Sequence, residues 1–266
     1  MTRQVGTKIN RLLKNWPNGT VAALSWLESQ GITRQLVHEY GKTAWVERIG
    51  QGAFIKSGDQ VDWKGALYAV QTHLKLLIYV AAKTALALHG VVHFVPLGKG
   101  QQIYLFGAPD AKLPIWFKKH DWGVTIEHVR SLFLSNEGEQ IGLTEVSHGA
   151  FSIRASSRER AILEICFLVP QSQEYEEAKL LMEGLQTLRP KLLQTLLERC
   201  DSIKAKRLFL HLAESCNMPW LSKLDLSKIK LGTGKRSIAT GGILDAKYQL
   251  IVPKVHEGGS DDPERP

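Results

Sequence analysis

The stretch Ile32–Ile55, ITRQLVHEYGKTAWVERIGQGAFI, decides the fold. Thr33 is a good helix N-cap, and Ile32 and Val37 are spaced as a hydrophobic staple across it. Gly41 is expected to close this helix. Trp45–Ile49 and Ala53–Ile55 then read as two strands joined by Gly50-Gln51-Gly52, a hairpin signal. Working outward, Ile9, Leu12, Leu13 and Trp16 fall at i, i+3, i+4 and i+7, one apolar stripe of a helix ended by Pro17-Asn18-Gly19. A second helix follows, with Val21, Leu24 and Leu27 inward and Gly31 as its stop. Helix, short turn, helix and a two-stranded wing is the order of a winged helix-turn-helix.

In that architecture the third helix enters the DNA major groove by its N-terminal residues. Burying Leu36, Val37 and Tyr40 turns Arg34, Gln35 and His38 outward. Arg bonds guanine bidentately and Gln bonds adenine, so both are sensible base readers. Arg48 and the glycine turn would reach a neighbouring groove or phosphate, and Lys8, Arg11 and Lys14 could grip the backbone. Residues 1–60 carry eight Lys/Arg and four Asp/Glu, a net +4. Small winged modules also serve as protein-interaction domains, and +4 is an ordinary solvated surface, so the pattern alone leaves both readings open.

The whole chain has 266 residues, 44% hydrophobic and 23% charged, enough for a sizeable core in one large or two ordinary domains. Its net charge of +8 and pI near 9.3 favour an anionic partner such as nucleic acid. The longest apolar run, Leu76–Ala82, stops at Lys83, far short of a membrane span. Basic residues near the N-terminus have no apolar segment behind them, so a secretory signal is not expected. Cys166, Cys200 and Cys216 form no CxxC pair, and their odd number fits a reducing cytoplasm.

Beyond a polar boundary at residues 57 to about 63 the pattern alternates. Gly65–Leu74 reads as a helix, Leu76–Val80 as a strand and Lys83–Leu88 as a helix. Val91–Pro96 and Gln102–Phe106 read as strands around Leu97-Gly98-Lys99-Gly100, with another within Val124–Phe133. Phe151–Arg154 runs into a capping box, Ser156 to Glu159, which opens a helix with Ala161, Ile162, Ile165, Cys166 and Val169 inward. From Glu174 helices dominate, and Ser237–Thr240 with Tyr248–Val252 look like a final hairpin. The expectation is a mixed α/β (α+β) chain: a winged helix-turn-helix at 1–60, a larger α/β domain at 61–256 with a helical C-terminal part, and a disordered acidic tail at 257–266.

Chemistry is harder to find. GTGKRS at Gly232–Ser237 lacks the first Walker A glycine, where Ile229 stands, and Arg236 follows its lysine, so it reads as a basic turn. His89 and His93 are interrupted by Gly90 and lack an acidic partner. The three cysteines sit on or beside apolar stripes as packed thiols. The carboxylates are scattered. No enzyme, metal or cofactor signature emerges. Residues 189–236 hold eleven Lys/Arg and four Asp/Glu, a net +7, and Lys204, Arg207 and His211 share the face of one helix opposite its apolar stripe. A solvated face and a second anionic contact surface both fit this charge.

The segment YGKTAWVERIGQGAFIKSGDQVDWKGALYAVQTHLKLLIYVAAKTALALHG from Tyr40 resembles the AbiEi family, the antitoxins of type IV abortive-infection toxin–antitoxin systems. So do LPIWF at Leu113, SSRERAILEIC at Ser156, LQTLRPKLLQTLLERCDSIKAKRLFLHLAE at Leu185, MPW at Met218 and LGTGKRSIATGGILDAKYQLIVP at Leu231. The resemblance implies a phage-defence protein with two activities. Its winged helix would repress its own operon at promoter inverted repeats, with Thr33–Tyr40 as recognition helix. Its larger domain would neutralise a nucleotidyltransferase-like AbiEii toxin encoded downstream, without requiring a stable complex, and two copies would pair cooperatively on DNA. For neutralisation the local +7 suggests Lys204, Arg207, His211, Lys235 and Arg236. The alternative is a plain DNA-binding regulator whose larger domain senses a ligand or mediates assembly.

Overall fold

The structure, a computed structural model, describes residues 2–91, 100–131, 133–134 and 140–254, with the side chains of 2–7 excepted. The expected Val91–Pro96 strand, the Leu97–Lys99 turn, His93 and the 257–266 tail lie essentially outside these residues. The chain forms two compact units, 1–161 and 162–266. The winged helix expected at 1–60 is part of the first, which does not divide near residue 60.

The first unit opens with α1 (Thr2–Asn15), β1 (Ala22–Ala23), α2 (Leu24–Ser29), α3 (Arg34–Lys42), β2 (Val46–Gly50) and β3 (Ala53–Lys56). Ile9, Leu12, Trp16, Leu27, Ile32, Val37, Tyr40 and Val46 bury one common core, each large apolar side chain contributing about 1.5–3 kcal/mol when fully removed from water. The strands form one antiparallel sheet in the order β1-β3-β2. Sequence periodicity assigns Val21 to a helix, but Val21 precedes strand Ala22–Ala23, which pairs with β3, and α2 begins only at Leu24. Gly31 stops α2 as expected: at φ +77° its N–H bonds Glu28 O while Ile32 N bonds Leu27 O. Gly41 does not close α3, which runs on to Lys42.

There follow α4 (Trp63–Thr72), β4 (Ile78–Val80), α5 (Ala82–Leu88), β5 (Gln102–Gly107), α6 (Ile115–Lys119), β6 (Thr125–Arg130), β7 (Leu143–His148) and β8 (Phe151–Ser156). Their five-stranded sheet has the order β6-β5-β4-β8-β7, with β5–β6 and β4–β8 parallel. The short β4–β8 ladder is supplemented by buried Gln71, which donates to Ile78 O and Arg154 O and accepts from Arg154 N. Gly65 lies so close to the chain at Gly19 that an added Cβ would stand 1.8 Å from Gly19 O, and Val21 N bonds Gly65 O. This contact joins α4 to the winged module. Helix α7 (Arg158–Leu168) begins one residue later than the Ser156–Glu159 box requires, because Ser156 still belongs to β8.

His73 stacks on Trp26 at 4.4 Å, and its Nδ1 accepts from Ala23 N. Burial pushes its pKa down to about 4. The unfolded chain therefore binds the proton more tightly between pH 6.5 and 4, so stability falls as the pH falls through that window. Acidification from pH 7 to 5 should cost roughly 1–2 kcal/mol through this residue. Urea midpoints of the protein and of His73→Gln should therefore diverge at neutral pH and converge near pH 5; parallel pH profiles would refute it.

The second unit holds most of α7, then α8 (Tyr175–Glu183), α9 (Pro190–Arg199), α10 (Ile203–Ser215), β9 (Arg236–Ser237), β10 (Ile243–Asp245) and β11 (Leu250–Val252). Leu193, Leu196, Leu197, Leu208, Phe209 and Leu212 are fully buried. The expected final hairpin is corrected. β9 runs parallel to β11, and the hairpin is β10–β11, turned where Asp245 Oδ1 accepts from Tyr248 N and Gln249 adopts φ +49°. Cys166 and Cys200 are buried, and burial pushes the Cys200 thiol up to about 11, as packed thiols require. No helix among the described residues is long and apolar enough to cross a membrane, and none of them form a metal-ligand cluster.

Candidate nucleic-acid interface

Thr33 caps α3 by accepting from Leu36 N at 3.3 Å, which fixes where the helix starts. Ile32 and Val37 are both buried on either side of that cap, as the staple requires. With Val37 and Tyr40 turned into the core, Arg34, Gln35 and His38 are exposed. Glu39 is also exposed, but Lys42 Nζ bonds its carboxylate at 2.9 Å, offsetting the acidic charge on this face.

The wing completes a groove. Arg34, Gln35 and His38 line it from α3, Arg48, Gln51, Gly52 and Phe54 from the wing, and Leu24 from α2. Arg48 stands opposite Phe54 in the β2–β3 register and donates from Nε to Gly50 O at 3.1 Å. The structure thus gathers four of the sequence-selected residues around one concavity. Lys8, Arg11 and Lys14 are exposed along α1. Sequence reasoning missed Gln51, whose signal was its place at the tip of a turn flanked by glycines. It also missed Trp116 of α6, whose Cβ lies 2.6 Å from where a side chain on Gly50 would begin.

The second proposed surface is corrected in part. Arg207 is buried, not solvated: it donates to the carbonyls of Leu231, Gly232, Gly234 and Gln249 at 2.6–3.1 Å. Lys204 Nζ reaches the carbonyls of Phe167 and Val169 at the end of α7, where unpaired carbonyls attract a cation. His211 Nδ1 lies 2.6 Å from Asp245 Oδ2, and its Nε2 lies 3.0 Å from Tyr175 OH. These three residues are internal ties. Lys235 and Arg236 are exposed, on a turn whose carbonyls face Arg207. That geometry is unlike a phosphate loop, which offers backbone N–H groups to its ligand.

Helix, turn, helix and a three-stranded wing, with polar residues turned outward from the third helix, define a winged helix-turn-helix protein. The chain belongs to the AbiEi antitoxin family, the transcriptional regulators of type IV toxin–antitoxin systems. The family's N-terminal domain matches residues 5–97, and the AbiEi antitoxin proper matches 100–253. Among solved structures, the crystal structure of the RV2827C protein from Mycobacterium tuberculosis is similar, with TM-score 0.62 and 16% identity over 93% of this chain and 91% of that one. This likeness is one of fold. A search of curated proteins finds no match.

Proposed function

We propose that this protein is an autoregulating antitoxin. Its winged helix binds inverted repeats in its own promoter, and the rest of the chain neutralises an AbiEii-like nucleotidyltransferase toxin encoded beside it, without catalysing a reaction. The observation that carries the DNA half is the grouping of Arg34, Gln35, His38 and Arg48 around one exposed groove. That recognition helices read base edges with their N-terminal residues supports Arg34 and Gln35 as the base readers.

Arg34→Ala should cost about 1–3 kcal/mol in discrimination between operator and scrambled DNA. Arg11→Ala should weaken binding to both sequences alike, with a shallower salt dependence, because it would contact phosphate. Competition binding at two salt concentrations measures both; intact discrimination in Arg34→Ala would refute this orientation of α3.

For neutralisation, exposed Lys235 and Arg236 are the basic residues to test. Co-expression of the full chain with the downstream gene product should restore host growth, and Lys235→Glu/Arg236→Glu should lose that rescue with unchanged thermal stability. Rescue by the double variant would exclude this turn. No rescue by the wild-type chain, when soluble, would favour a plain DNA-binding regulator.

A further inference from the structure

Helix α6 has two faces with different neighbours. On one, Trp116 sits against Gly50, at the end of wing strand β2. On the other, Phe117 walls a cavity of about 250 Å³ together with Lys118, His120, Trp122, Ile126 and His128. Ile126 and His128 share one face of edge strand β6, since strand side chains alternate. Trp122 is held by its indole N–H, which donates to Phe117 O at 2.8 Å, and its ring lies 4.2 Å from His120 and 5.7 Å from Phe117.

Three features specify an occupant. The aromatic walls suit a flat ring. Lys118 is exposed and supplies a cation, while no carboxylate among the described residues lines the cavity. His128 Nε2 is buried without a hydrogen-bond partner among the described residues, and such a group calls for a partner that the protein itself does not supply. Burial and the nearby Arg130 and Lys118 cations hold this imidazole neutral, with its pKa near 4. A volume of this size admits one or two fused rings with a small substituent, not a nucleotide.

We propose that this cavity binds a planar aromatic carboxylate, ring against the aromatic cluster of Phe117, His120 and Trp122 and carboxylate toward Lys118, and that occupancy alters operator affinity through the contact of Trp116 with Gly50. The second half rests on the DNA-binding reading above. Because Gly50 leaves no space beside Trp116, a displacement of α6 is transmitted to the wing rather than absorbed by a side chain.

The probe is indole-3-carboxylate, titrated into the full chain by calorimetry, with indole-3-carboxamide as its uncharged counterpart. One molecule should bind per chain with a Kd of about 1 mM or tighter. Lys118→Gln should weaken the carboxylate about tenfold or more and leave the carboxamide unchanged. Ile126→Trp should fill the cavity and abolish binding of both; if that variant does not fold, the exposed Lys118→Gln decides alone. Absence of binding at about 10 mM, or equal binding by Lys118→Gln, overturns the site. With wild type, saturating probe should change operator affinity by at least about threefold, and unchanged affinity overturns the coupling. If the chain binds no operator even without probe, the DNA reading fails, while calorimetry still judges the cavity.

Discussion

Arg207→Ala should lower the stability of the second unit by about 2–4 kcal/mol, through loss of charge-assisted hydrogen bonds from a buried guanidinium to neutral carbonyls. The guanidinium satisfies four carbonyls, those of Leu231, Gly232, Gly234 and Gln249, from a position only 2% exposed. Truncation takes the donor from all four acceptors and opens a hole beside α10. Arg207→Lys should recover less than half of the loss, because an ammonium is a point donor and cannot span the fork. Urea unfolding measures this as a shift in midpoint at constant slope. A loss under about 1 kcal/mol would mean that water replaces the guanidinium without difficulty. Charge reversal at Arg207 would therefore test folding; toxin contact is tested cleanly only at exposed positions such as Lys235 and Arg236.

Gly65→Ala is expected to cost about 3 kcal/mol or more, at the upper end of overpacking effects. Two effects oppose each other. Alanine is favoured over glycine inside a helix by about 1 kcal/mol. Against that, the new Cβ would lie 1.8 Å from Gly19 O and 2.9 Å from its carbonyl carbon. Backbone cannot rotate away as a side chain would, so α4 must withdraw and strain the bond between Val21 N and Gly65 O. Because Val21 leads into β1 of the wing sheet, operator binding should fall together with the melting temperature. A neutral or stabilising result would show that helix propensity outweighs the close approach.

The winged module was legible in the sequence because each of its signals is local. Thr33, Ile32 with Val37, Gly31 and the glycine turn each fix a boundary through backbone chemistry within a few residues. The misses have equally physical origins. Ala22–Ala23 pairs with β3 but carries no pattern of its own, being two small residues. Helix α6 is only five residues long, too short for a helical period to show. Lys204, Arg207 and His211 share one helix face, and charge at that spacing reads as solvent. Yet Ala205–Leu210 of α10 is buried without a break, so its polar groups need internal partners. Those partners are mostly carbonyls, present at every residue and therefore invisible in composition. The groove residues Arg34, Gln35, His38 and Arg48 were readable because they depend on helix phase and strand alternation; the contact of Trp116 with Gly50 joins positions 66 residues apart and has no such periodic signal.

The staple formed by Arg207 acts on main-chain oxygen atoms, and this sets the evolutionary freedom of the turn it holds. Gly232 and Gly234 are constrained by their positive φ angles, but the guanidinium bonds main-chain carbonyls and not the side chains of Thr233, Lys235 or Arg236, of which only the Arg236 cation acts on it, by repulsion. Thr233 and Lys235 can be exchanged for other charges or shapes at little cost in stability, whereas Arg236 also bonds the Lys235 carbonyl, and inserting or deleting one residue would move the carbonyls out of register. The turn is thus able to diversify its chemistry at fixed length.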